Sequence, residues 1–412
     1  MYADNLPASS LVNITKTNQL QFNTQTGALL AGVPPDFRGW RLGTGSVSLG
    51  DKNRAVGPGS AAIGRENATG QGFSGLGNGI AAIALVYSNF ASGDYSAAIG
   101  EDNYTIGKSS IALGYRNRPA GNYGVAIGNS NAAGLNAVAL GFTNGAGGEH
   151  AVALGRNNGV GGYGGVAIGA NNTVPVSSTY AIAIGYLNIA SGNYSTAMGH
   201  RMNTNNQAGA FMIGDTDLLG QGTTAAGATD QFVARFRNGY YLMTSGTVTR
   251  TGVFVGAGQN AWGSISDSTK KERLLPMNHA DVLQKIGGMK LSSWNYKGQR
   301  DIRHYGPMAQ DFYAAFGHDE LGQIGCDTLI YSHDFAGVTF AGVQALIREN
   351  EKLKAELSQT KAHFENRLAL LERALLGRKR VTHHTRTYLK WVARIRGHTR
   401  ARRGTPSVAA RH

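Results

Sequence analysis

The chain has 412 residues, with 59 glycines, 9 prolines and one cysteine, Cys326. Glycine runs at about twice its usual frequency without the Gly-X-Y period of collagen, and 42% apolar content excludes global disorder. A lone thiol without any Cys/His cluster excludes a disulfide framework and structural zinc, and no metal or cofactor site is expected.

The formal net charge of +14 is unevenly placed. Residues 1–265 hold 14 Lys/Arg against 11 Asp/Glu, residues 266–376 hold 14 against 14, and the last 36 residues hold 11 against none. A nearly neutral body with one basic end argues against nucleic acid as the main partner, because no regularly spaced stacking aromatics accompany the charge. Met1-Tyr2-Ala3-Asp4 has neither a basic nor an apolar leader, so no Sec-type signal is expected. No uncharged run approaches the roughly 18 apolar residues of a spanning helix, so no membrane insertion is expected.

Residues 1–40 are expected to be an attachment segment. From 41 to about 215 the chain repeats a unit of small, apolar, Ala, Ile/Leu and Gly. Copies include Ala97-Ala98-Ile99-Gly100, Val125-Ala126-Ile127-Gly128, Val152-Ala153-Leu154-Gly155 and Ile182-Ala183-Ile184-Gly185. From Gly100 to Gly169 the glycines step by 14, 14, 13, 14 and 14. The stretch Gln71 to Ser88 lengthens the period and is read with Ala84 in place of the terminal glycine. Alternation puts Val125 and Ile127 on one face and Ala126 on the other. A short strand, a glycine that permits positive φ and an Asn/Gly turn make one coil, and stacked coils make a solenoid. The aliphatic residues are expected inside and the small alanines against neighbouring subunits, although a monomeric solenoid with tightly stacked alanines fits the same pattern.

The run NxAxGxxSxAIG, Asn89 to Gly100 and, with Met198 for Ile, Asn188 to Gly199, resembles the head repeats of trimeric autotransporter adhesins of the YadA type. That resemblance covers about residues 40–215 and implies a trimeric, left-handed parallel β-roll used for attachment. The membrane-anchor β-barrel of those adhesins has no counterpart here, which points to a fibre of another kind.

Residues 216–265 break the period and are expected to form a β-rich neck. Gln231 to Phe236 and Gly239 to Thr244 read as strands joined by a tight Asn238-Gly239 turn, and Thr247 to Val255 as another strand. At residue 266 charged residues rise and helices are expected. Ser266-Asp267-Ser268-Thr269-Lys270-Lys271 is followed by Trp294-Asn295-Tyr296-Lys297 and by Arg303-His304-Tyr305-Gly306-Pro307-Met308-Ala309-Gln310. On residue types alone, Ser266 and Asp267 read as an N-cap pair with Lys270 and Lys271 in solvent.

The order SDxxxK, an aromatic strand, RHxGxxAQ and then a helix near Gly342-Val343-Gln344-Ala345-Leu346 resembles the intramolecular chaperone domain of endosialidases. Such domains end many bacteriophage tail fibres and tail spikes. Pro307 stands where an apolar residue is usual, and Gly342 to Leu346 departs from the common AIQEL. The resemblance implies single-turnover autoproteolysis by a Ser/Lys dyad, with Ser266 as nucleophile, Lys271 as general base and the cut between Ile265 and Ser266. The chemistry is coherent, since a serine hydroxyl needs an adjacent base and a lysine acts as one only where burial or a nearby cation such as Lys270 lowers its pKa. His304 and Gln310 match family positions, either to hold the scissile loop or to serve the structure. Cys326 is expected to be inert.

The helix closing residues 266–376 reads as a trimeric coiled coil with Val343, Asn350, Leu357, Phe364 and Leu371 at a positions. Leu346, Leu353, Thr360, Arg367 and Ala374 take the d positions, with a register drift near Leu368 and Leu375. Residues 377–412 are expected to be a basic, disordered tail. The fold class is therefore mainly β plus α: a trimeric β-roll head, a β-rich neck and a C-terminal α+β chaperone domain ending in a coiled coil. The expected function is a homotrimeric tail-fibre or adhesin protein that binds a glycan or protein receptor on a cell surface, located on a phage virion. A bacterial surface adhesin with the same parts is the alternative. A glycan depolymerase would need paired carboxylates, and Glu66, Asp94, Glu101, Asp102 and Glu149 lie scattered.

Overall fold

The computed structural model describes residues 11–13, 19–34, 41–70, 78–216, 222–245, 251–377 and 383–400. The chain divides into two compact units, one made of residues 1–242 with 253–263 and the other of residues 243–252 with 264–412.

The first unit is a β-roll. Among the described residues its long side is one 16-stranded sheet. The sheet opens with the antiparallel strands Leu11–Asn13, Gln19–Asn23 and Ala28–Val33, and every later strand is parallel to the one before. Register is kept residue for residue: Ala112 lies beside Ala126 and Gly114 beside Gly128, one coil on. The short side is built of two-residue strands such as Arg118–Pro119, Ala132–Ala133 and Gly145–Ala146. Gly114 shows why the repeat ends in glycine. Its φ is +118°, and a Cβ there would run into the carbonyl oxygen of Gly128. In the irregular coil, Ile83–Tyr87 holds register with both neighbours, so Ala84 lies level with Ala62 and Ala98. Val86, not Ala84, occupies the glycine position, at φ +90°, a strained value for a β-branched residue.

The two strand faces are used the opposite way from expectation. Ala112 is 0% exposed, whereas its neighbours Ile111 and Leu113 are each 42% exposed. The same holds along the roll, where Ala62, Ala98, Ala126, Ala139 and Ala153 fill the interior. A five-residue strand facing a two-residue strand leaves a narrow cross-section, filled mostly by Ala, Ser, Thr and Asn, with Val160, Val174, Met202 and Met212 among the larger buried side chains. The larger aliphatics therefore form an outward stripe.

With so little apolar volume inside, polar contacts specify the coil. Asn53, Asn67, Asn89, Asn103, Asn117, Asn131, Asn144, Asn158, Asn172 and Asn188 are buried and form a ladder. The Nδ2 of Asn158 donates to the carbonyls of Leu154 (2.9 Å) and Gly169 (2.8 Å), and its Oδ1 accepts from the Asn172 N–H at 3.0 Å. Each rung thus binds its own coil and the next. The adjacent Asn157 is exposed and reaches only the side chain of Asn171. Asn158→Asp should cost about 3 kcal/mol, because it removes buried donors and sets carboxylate oxygens against carbonyls. Asn157→Asp should stay within about 0.5 kcal/mol, as surface changes do. Thermal unfolding of the two variants checks this, and equal midpoints would contradict a structural ladder.

The neck differs in one respect from expectation. The turn before Gly239 forms, with the Gly239 N–H on the Phe236 carbonyl at 2.9 Å. Its flanking strands do not pair with each other. Phe232–Arg235 joins the roll sheet beside Phe211–Gly214, so the roll runs past residue 215. Gly239–Met243, Gly252–Gly256 and Gly263–Ser264 make a separate three-stranded sheet, while residues 246–250 of the expected strand lie outside the described residues.

The second unit is α+β. Helix α1 (His279–Gly288), capped by Asn278, α2 (Ala309–Phe316) and α3 (Ser332–Gly377) bring Val282, Phe312, Phe316 and Ala341 into one small core. Helix α3 starts before the expected Gly337 and runs for 46 residues. Beyond the core its Val343, Leu346, Leu353 and Leu357 are exposed in the single chain. The tail expected to be disordered instead forms α4 (His383–Arg400), while residues 378–382 and 401–412 lie outside the described residues. No helix among the described residues is long and apolar enough to cross a membrane.

Candidate functional site

The second unit takes over from the neck at Ser264 and runs directly into the expected dyad. Ile265 is half-buried and Ser266 is exposed. Asp267 caps the 3-10 turn Ser268–Lys270, its Oδ1 accepting from the Thr269 N–H at 2.9 Å and the Thr269 hydroxyl at 2.8 Å. The Thr269 backbone bond, then its hydroxyl, hold the Asp267 carboxyl below the usual carboxylate range. This cap is therefore complete above the ordinary aspartate pKa of about 3.9 and fades only as pH falls through the lowered value. The turn closes with the Lys271 N–H on the Ser268 carbonyl at 3.2 Å and leaves Lys271 extended.

That local geometry returns Lys271 to Ser266. Its Nζ lies 2.7 Å from Ser266 Oγ, with both side chains exposed. Capping and the Ser/Lys pair are thus compatible, because Asp267 alone does the capping and leaves the Ser266 hydroxyl to Lys271.

The two other motifs meet in one hairpin. Ser292–Trp294 pairs antiparallel with His304–Gly306, with Trp294 opposite His304. The Trp294 ring stacks on His304 at 4.7 Å, and Tyr296 packs edge-on to Trp294 at 5.0 Å and to His304 at 5.5 Å. Arg303 clasps the facing strand by donating to Asn295 Oδ1 at 2.9 Å and Ser293 Oγ at 2.6 Å. That clasp explains the arginine of the motif, which residue types alone did not. Gln310, exposed at the start of α2, lines a cleft of about 870 Å³ with Trp294, Tyr296, Met308 and Leu329. Among the described residues no hydrogen bond joins His304 or Gln310 to Ser266 or Lys271. Cys326 lies 3.5 Å from Thr328 Oγ1, and hydrogen bonding to Thr328 holds its thiol below the ordinary range.

Comparison with known families follows this division. The YadA head domain repeat matches residues 42–67, 91–117, 106–131, 132–158, 146–172 and 177–201. The chaperone of endosialidase matches residues 266–319. Both resemblances hold. The second match begins at Ser266 and takes in the capped turn, the aromatic hairpin and α2. No curated protein matches the chain. Together the two families support an adhesin or fibre whose head repeats precede a self-cleaving chaperone.

A further surface feature belongs to the roll. His150, Tyr163, Tyr180 and Tyr194 form a continuous ring stripe with centroids 5.4, 5.4 and 5.9 Å apart. Gly164 makes room for the Tyr180 ring, which a Cβ there would strike. The recurring tyrosine before the strand was visible in the sequence, but only the register of the coils shows that the rings touch.

Proposed function

We propose that the chain is a homotrimeric fibre that attaches to a cell surface, and that residues 266–376 register the three chains and then cut themselves free. The observation that carries the cleavage is the 2.7 Å contact between Lys271 Nζ and Ser266 Oγ at the first residues after the neck. Two exposed apolar surfaces support the trimer. They are the aliphatic stripe of Ile111 and Leu113 on the roll and the Val343, Leu346, Leu353 and Leu357 seam of α3. Burying such surface is worth about 25 cal/mol per Å², and parallel heptad seams are built for this. We assign the 41–215, 216–265 and 266–376 segments to head, neck and chaperone, with the roll as the attachment region and its aromatic stripe as the receptor-facing surface.

In this reading Lys271, as a free amine, takes the proton of Ser266 Oγ as the oxygen attacks the Ile265 carbonyl carbon. The peptide C–N bond breaks, the Ser266 nitrogen receives the proton and becomes an amine, and an ester joins Ile265 to Oγ. Water then hydrolyses the ester, leaving a carboxylate on Ile265 and a free hydroxyl on Ser266. One water is consumed and no cofactor is needed. Packing in the trimer would desolvate the lysine and favour its neutral form, so cleavage would wait for assembly. We place the protein on a phage virion as a fibre, with a bacterial surface adhesin of the same parts as the alternative. Intact mass spectrometry of the purified protein should show residues 1–265 and a C-terminal piece that begins at Ser266. An uncut chain in a confirmed trimer would overturn the proposal.

A further inference from the structure

Helix α4 places cationic and apolar residues on two separate faces. Its 18 residues carry Arg386, Lys390, Arg394, Arg396 and Arg400 and no acidic residue. At 3.6 residues per turn, Tyr388, Trp391, Val392 and Ile395 fall within an arc of about 100°. The five cationic positions fall on the rest of the circumference. In the arc Tyr388 is 63%, Trp391 58% and Ile395 45% exposed, and the two rings lie 6.1 Å apart. Helix α3 is unlike this, because Glu, Lys and Arg alternate along it.

We infer that α4 binds the surface of an anionic lipid bilayer, lying in the interface with Trp391 and Ile395 toward the acyl region. A polyanion such as nucleic acid would use the cations and leave the Trp391–Ile395 arc in water. A protein core would take the arc, but nothing in this helix is acidic to balance its cations. An anionic bilayer surface satisfies both faces at once, and Trp and Tyr favour the headgroup level. The helix is far too polar to span, in keeping with an interfacial position. The contact does not depend on the Ser266–Lys271 pair. Were self-cleavage to occur as proposed, it would also free the fibre from the bilayer.

The test uses full-length Ser266→Ala protein, so that the tail stays attached to the chain whether or not cleavage operates. Sedimentation is measured with vesicles of phosphatidylcholine alone and of phosphatidylcholine with about one third phosphatidylglycerol. The expected result is at least about tenfold tighter binding to the anionic vesicles, with the Trp391 emission shifted to the blue. Adding Trp391→Ser with Ile395→Ser keeps every cation and should still lose about tenfold in vesicle binding. Adding Lys390→Gln with Arg394→Gln should lose a similar factor. Equal binding to both vesicles, or binding unchanged by the Trp391/Ile395 pair, would overturn the inference. Tighter binding to duplex DNA than to vesicles, untouched by that pair, would assign the helix to nucleic acid instead. A fall in the oligomeric mass caused by that pair without lipid would give the arc to another copy of the chain and equally overturn it.

Discussion

Ser266→Ala, Lys271→Ala and Lys271→Arg should each leave the chain uncut at 412 residues, while the wild type separates at Ile265–Ser266. The alanine variants remove the nucleophile or its base, and loss of either member of such a unit costs on the order of 10³-fold or more in rate. The arginine variant is the sharper probe. It keeps a positive donor near Ser266 Oγ but cannot give up its proton, so a hydrogen-bonding role would survive and a base would not. Asp267→Ala separates the cap from the chemistry. The Asp267 side chain holds the turn through Thr269, and losing such a cap costs about 1 kcal/mol. Its cleavage should therefore slow by about fivefold and not stop, as time-resolved intact masses would show. Normal cutting by Lys271→Arg would remove Lys271 from the base role.

Deleting residues 266–412 should abolish recovery of soluble trimer. From Ala28–Val33 onward the roll pairs each strand in parallel with one 13 to 22 residues away, so a single chain can build it by local steps, but three chains must also meet in one register. The stripe of Ile111, Leu113 and their equivalents repeats at every coil, so slipped trimers would bury nearly the same surface. A seam such as Val343, Leu346, Asn350, Leu353 and Leu357 does not repeat in this way, because its polar a position fits one alignment. The truncated chain is expected as aggregate or monomer by size-exclusion chromatography with light scattering. A soluble trimer of normal thermal stability would remove the chaperone role.

The 14-residue period and the ordered motifs made the roll and the second unit legible before any coordinates. What the sequence concealed follows from geometry. The rule that large aliphatics face inward put Val125 and Ile127 in the core, but on the long strands the alanine faces inward, and Ala126 takes the interior at 0% exposure. The buried asparagines looked like turn residues because Asn occupies turns so often. Their recurrence at a fixed distance after the glycine, as in Gly141 to Asn144 and Gly155 to Asn158, was the overlooked sign of a ladder. In the irregular coil, taking Ala84 for the terminal glycine misplaces that position by two residues, and the pairing of Val86 with Gly64 and Gly100 corrects it.

In the neck, the tight turn before Gly239 suggested a hairpin, yet Phe232–Arg235 satisfies its backbone on the open edge of the roll sheet. The basic tail hid a helix because charge count outweighed spacing. Tyr388, Trp391, Val392 and Ile395 follow the i, i+3, i+4, i+7 pattern of an apolar stripe. The Ser266–Lys271 pair was legible as a motif and not as a contact. Five residues of separation say nothing of contact until Asp267 caps the turn and Lys271 returns to Ser266.

The measurement that bears most directly on a detachable folding device compares refolding of two purified trimers, the processed fibre without its released piece and full-length Ser266→Ala. Both are unfolded in guanidinium and diluted together under the same conditions, and trimer recovery is read by light scattering with circular dichroism for the roll. The account predicts that the uncut variant regains trimer while the processed fibre, once unfolded, does not, since its native state is held by a kinetic barrier. Equal recovery by the processed fibre would show that the head carries its own register and would contradict the account.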